Sequence, residues 1–120
     1  MSSEAKAPRT LSLPRAVIEE IQNETMRIDR SPSWIAGKAW EAAREELGGL
    51  AGPGAVGQRI ADLIGADEVD RREHAIHLPV AVITDQDELA AKLDSSPSEL
   101  MHLAWLLGRG SISDQPSSDP

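Results

Sequence analysis

The sequence predicts a mainly helical chain carrying one short two-stranded antiparallel β-ribbon. Three observations lead there. Residues 74–112 repeat residues 9–47 at a constant offset of 65, with no gap and with 12 identities in 39 aligned positions. Each copy opens on a short stretch in which polar and apolar side chains alternate, the period of a half-buried strand. Each continues with two stretches of helical periodicity, split by Asp-x-Ser-Pro-Ser. The identities, among them Leu13/Leu78, Pro14/Pro79, Val17/Val82, Asp29/Asp94, Pro32/Pro97, Trp40/Trp105 and Arg44/Arg109, fall at core and turn positions, as a structural repeat requires.

Taken in order, residues 1–8 are small and polar and read as a disordered tail. Thr10-Leu11-Ser12-Leu13 is a strand with the leucines inward and Thr10 and Ser12 outward. Pro14 ends it and starts a helix, where its missing N–H costs little. The helix spans 15–28, with Val17, Ile18, Ile21, Thr25 and Ile28 on one face and Glu19, Glu20, Asn23 and Arg27 opposite, a solvated side. Asp29-Arg30 is a tight connection, and Ser31 followed by Pro32 is a helix start. The second helix runs to about residue 47, with Ile35, Ala39, Trp40, Ala42 and Ala43 inward, and Gly48-Gly49 stops it.

Residues 48–73 form a linker. Its opening, GGLAGPG, lacks the Lys-Ser/Thr of a phosphate-binding loop. A short helix over 55–64 follows, then a charged connector. In the second copy, residues 75–78 are a weak strand with Ile76 and Leu78 inward. A helix over 79–93 carries Val82, Ile83, Leu89, Ala90 and Leu93 on its stripe. The last helix starts at Ser96-Pro97-Ser98-Glu99 and ends near Gly108. Residues 113–120, rich in Ser, Pro and Asp, read as a second disordered tail.

Composition narrows the function. There is no cysteine, so neither disulfides nor thiol chemistry is available, which fits a reducing cytoplasm. No apolar run is long enough to span a bilayer. The net charge of −8 argues against a general nucleic-acid coat. Residues 9–47 nevertheless hold six of the twelve basic side chains against seven acidic ones, whereas 74–112 hold two against five. Any phosphate contact leans on the first copy. No nucleophile motif or acid/base pair is present, so an enzyme is not expected, and no cofactor is implied. His74 and His77, three apart on a strand, point to opposite faces and cannot share a metal.

A strand followed by two helices, the second opened by Arg-Ser-x-Ser, resembles the ribbon-helix-helix (MetJ/Arc-type) family. Leu13-Pro14, Arg30-Ser31-Pro32-Ser33 and Ala39-Trp40 carry the likeness, which covers about two thirds of the chain. The resemblance implies a tandem ribbon-helix-helix pseudo-dimer, with residues 9–14 pairing with 74–79 in the same chain; pairing swapped between two chains is sterically open too. It implies a ribbon lying in the major groove of double-stranded DNA, with Arg9, Thr10, Ser12 and His77 facing bases. It further implies phosphate held at the start of the second helix by Arg30, Ser31, Ser33 and Lys38. The expected role is a small bacterial transcriptional regulator or nucleoid-associated protein of the cytoplasm.

The copies diverge in a directed way. Trp34 becomes Glu99, which completes a capping box and repels phosphate, so one clamp works and the other is retired; two ordinary helix caps is the plainer reading. Lys38 becomes Leu103 and Glu41 becomes Leu106. These extra leucines need a cover: either the helix over 55–64 or a protein partner, including a second copy. The alternative function is therefore a protein-interaction module, antitoxin-like or regulatory, that kept the fold and lost strong DNA binding.

Overall fold

In a computed structural model, residues 6–52, 54–65 and 70–116 are described. They form β1 (Lys6–Pro14), α1 (Arg15–Ile28), α2 (Pro32–Gly48), α3 (Ala55–Ile64), β2 (Arg71–Pro79), α4 (Val80–Leu93) and α5 (Pro97–Ser113). The fold is mainly helical with one two-stranded antiparallel sheet. β2, α4 and α5 begin and end 65 residues after β1, α1 and α2.

Prolines set the strand-to-helix joints. Pro14 and Pro79 are extended, with φ near −56° and −55°, and the next residue opens a helix in both halves. Asp29 and Asp94 close α1 and α4 in the left-handed region, φ 55° and 52°. Aspartate tolerates that conformation better than branched or bulky residues. Ser31 and Ser96 cap α2 and α5, accepting from the N–H of Trp34 and Glu99.

The strands pair from Lys6 opposite Pro79 to Pro14 opposite Arg71, so the midpoint is Thr10 opposite Ala75, two residues 65 apart. The ribbon is longer than the apolar alternation predicts at both N-terminal ends. Lys6–Pro8, expected in the tail, and Arg71–Glu73, expected in the connector, are strand. Backbone N–H and C=O groups pair whenever a partner strand is alongside, whatever the side chains. The rest of the expected tails, 1–5 and 117–120, and connector residues 66–69 lie outside the described residues.

The inner ribbon face contributes Leu11, Leu13, Ile76 and Leu78 to one core, with Ile21, Ile35, Leu47, Leu93, Leu100, Trp40 and Trp105. α2 and α5 form the main helix pair beneath the ribbon, and α3 packs on α5 with Val56 and Ile60 buried. The last helix runs five residues past the expected end. Gly108 sits at its crossing with α2, and Ile112 is buried one turn later. Ala42 of α2, expected inward, is exposed, and Gln86 of α4, a polar side chain, is buried.

A Cβ on Gly108 would lie 2.9 Å from Ala39 Cα and closer still to its carbonyl oxygen; one on Gly37 would meet nothing within 4 Å. Gly108→Ala therefore destabilises by about 2 kcal/mol or more through forced separation of α2 and α5. Gly37→Ala stabilises by up to about 1 kcal/mol through helix propensity alone. Paired denaturant melts check the opposite signs.

Candidate nucleic-acid interface

Strand period puts Lys6, Pro8, Thr10 and Ser12 of β1 on the outer ribbon face with Arg71, Glu73, Ala75 and His77 of β2. Thr10 and His77 are exposed there. Ser12 is half-buried: its N–H donates to Ser98 Oγ at 2.9 Å and its carbonyl accepts from Arg71 Nη1 at 2.9 Å. The cations Lys6 and Arg71 stand at opposite ends of this face, each across from a proline.

Arg9 is not on that face, contrary to expectation. It shares the parity of Leu11 and Leu13 and turns inward, where Nη1 donates to Gln86 Oε1 at 3.2 Å and Nη2 to Asp87 Oδ1 at 2.9 Å. Gln86 occupies the position of Ile21 in the first half, and its amide also reaches Met101 Sδ at 3.5 Å. A glutamine interrupting the stripe of α4 is the sequence signal that a polar side chain comes in from across the ribbon.

At the start of α2, Arg30, Ser31 and Lys38 are exposed and Ser33 is buried. Ser31 Oγ is committed to the cap, accepting from Trp34 N–H at 3.1 Å. The half-buried Trp34 ring holds two cations near its face, Arg30 at 5.0 Å and Lys38 at 5.6 Å. Lys38 also pairs with Glu41 at 3.6 Å.

The corresponding end of α5 is closed. Ser98 Oγ is taken by the β1 edge, Ser96 caps Glu99 N–H, and Ser95 donates to the Glu99 carboxylate at 2.9 Å. His102, 1% exposed, fills the space behind, with Arg71 Nη2 3.4 Å from its Nδ1. Burial pushes the imidazole down, Arg71 adds to this and Glu99 opposes it, leaving its pKa at about 4.

Leu103 is fully buried, on the helix that α3 covers, and Leu106 is partly buried against the core. Leu103 is thus no partner surface, and the short linker helix packs on the helix that carries it.

Two side-chain clusters escaped sequence reasoning. Trp40 Nε1 and Arg44 Nε both donate to Asp85 Oδ2, at 2.8 and 2.6 Å. Trp105 Nε1 and Arg109 Nη1 both donate to Glu20 Oε1, at 2.6 and 3.0 Å. Glu20, expected on a solvated face, and Asp85 are 65 residues apart, as are the Trp and Arg pairs. Each cluster ties a helix of one half to a helix of the other. Burial raises the Asp85 pKa, but hydrogen bonds from Arg44 and Trp40 and the Arg44 charge outweigh it and hold the carboxyl below its ordinary value. The signal lay in the alignment: Trp and Arg four apart, twice, with an acid at the matched positions 20 and 85. Grooves of about 710 Å³ beside Trp40 and about 300 Å³ beside Trp105 flank the clusters.

Among the described residues no helix is long and apolar enough to cross a membrane. No known family's sequence profile matches the chain, nor does any curated protein or solved structure.

Two predictions follow from the geometry. The Asp85 side chain is 24% exposed and that of Glu20 42%. Asp85→Ala should therefore cost about 1–2 kcal/mol and Glu20→Ala under about 1, measured by urea melts, because solvent screens the more open cluster. The folded chain keeps His102 neutral down to about pH 4, while the unfolded chain protonates it near 6.5. Stability contributed by neutral His102 is then lost as pH falls between those values, by roughly 3 kcal/mol at most. Melts of wild type and His102→Gln across that window should converge as pH drops.

Proposed function

We propose that the chain is a small regulator that binds double-stranded DNA, folded as a tandem ribbon-helix-helix pseudo-dimer within one polypeptide. One observation carries this reading: the ribbon is centred on Thr10 and Ala75, positions 65 apart, and its outer face is left uncovered by the helices. Such a ribbon, two strands about 4.8 Å apart, fits a groove roughly 12 Å wide. Thr10, Ser12 and His77 offer hydroxyl and imidazole groups to base edges, while Ala75 offers only a methyl. Lys6 and Arg71 at the ribbon ends supply charge along the groove. The open start of α2, with Arg30 and Lys38 beside it, takes a backbone phosphate through helix N–H groups and cationic side chains. α5 contributes none, since Glu99 stands at its start.

The net charge of −8 and Glu73 on the outer ribbon face favour a second reading, a protein-interaction module that has lost strong DNA binding. Its docking face would be the groove beside Trp40 rather than Leu103.

A salt-titrated binding assay with a random duplex library, with solution mass measured alongside, separates the two. DNA retention at low salt should fall steeply as salt rises, and Arg30→Ala should lower the salt slope by about 1. Arg9→Ala should lower stability and leave the slope unchanged, because Arg9 faces the core. No retention at low salt rejects DNA binding.

A further inference from the structure

The groove of about 710 Å³ beside Trp40 is lined by Glu41 of α2 and by Ala81, Val82 and Glu88 of α4. Val82 packs against the core but stays half-buried, and Ala81 next to it is exposed. From Ala81 to Glu88 the groove follows two turns of α4, roughly 10 Å.

The matched place in the other half is filled. Leu106 stands where α2 has Glu41, and it packs against the core. Val17, the counterpart of Val82, is 4% exposed. Neither Val17 nor Leu106 borders the cavity beside Trp105, which is only about 300 Å³. The second half thus spends a leucine of its own where the first leaves open space.

The rim of the open groove is acidic. Glu41, Asp85 and Glu88 line it against one cation, Arg44. Arg44 and Trp40 both donate to Asp85 Oδ2, and Oδ1 takes no hydrogen bond among the described residues. Glu88 has neither a hydrogen bond nor an ion pair among those residues. Glu41 meets Lys38 at 3.6 Å, an exposed pair of little strength. In the second half the counterparts of Glu41 and Glu88 are Leu106 and Asn23, so these two carboxylates belong to the open groove alone. An apolar strip two turns long between carboxylates suits the apolar face of a helix that carries cations along its edges.

We propose that this groove docks a basic amphipathic helical segment of a partner protein. An apolar side chain of the segment covers Val82 and Ala81, and flanking Lys or Arg side chains meet Glu41, Glu88 and Asp85 Oδ1. The proposal rests on the interaction-module reading for the existence of a protein partner, and adds where that partner docks and what chemistry it carries.

The full chain, ¹⁵N-labelled, is titrated with a model peptide of leucines and lysines at helical spacing, and separately with the same peptide carrying glutamates for lysines. The Trp40 and Trp105 indole signals report on the two matched places. Saturable shifts at Trp40, Ala81 and Val82 are expected with the basic peptide alone, weakening as salt rises. Binding should be about tenfold weaker in Glu88→Lys, which reverses a rim charge. Glu41→Leu, which copies the filled half, should weaken it as well. Both positions are exposed, and melts confirm that the variants fold. Equal shifts at both indoles, binding undiminished in the folded variants, or no saturable shift overturns the groove. Saturable shifts confined to another face overturn it too and leave the interaction-module reading standing. That reading fails on a different measurement, steeply salt-dependent retention of DNA, so the two failures are told apart.

Discussion

Every other contact depends on the backbone pairing of β1 with β2. Either strand alone would leave a row of N–H and C=O groups unpaired and an apolar face of two or three residues uncovered. Pairing solves both at once: Leu11 and Leu13 come beside Ile76 and Leu78, and four fully buried side chains form the roof of a common core. Neither half, at about 40 residues, buries enough surface to stand alone. The core is joint property, and the close approach of α2 and α5 at Ala39 and Gly108 is its floor.

The halves are further locked by exchange. Trp40 and Arg44 of the first half hold Asp85 of the second, while Trp105 and Arg109 of the second hold Glu20 of the first. A buried indole needs a partner for its N–H. Placing the acceptor on the other half turns that local need into a condition on how the halves dock. Arg9 does the same across the ribbon, reaching Gln86 and Asp87 of α4.

Against this shared frame the differences between the halves stand out. The α5 start is plugged by His102, sealed by Ser98 against β1 and made acidic by Glu99. The α2 start keeps a bare glycine, an unsatisfied serine and two cations on the Trp34 ring. A fold built from two matching parts has thus left one helix start open and flanked by cations and closed the other.

The sequence by itself determined the repeat, its offset, the helices and the inward leucines, because periodicity and turn residues are local and each is written twice. It also put Arg30 and Lys38 near Ser31 and Ser33 at the start of the second helix, whereas their approach to the Trp34 ring appears only in the structure. Only the tertiary structure decided which polar groups are spent internally. Arg9 reads as a surface cation until its strand parity and Gln86 are seen together. Glu20 reads as solvated until Trp105 is brought over from 85 residues away. A cavity at Gly37 is a property of β1, α2 and β2 at once, and the burial of Leu103 is a property of the packed helices around α5. Contacts between residues far apart in the chain are set by packing of the whole, and local pattern carries no record of them.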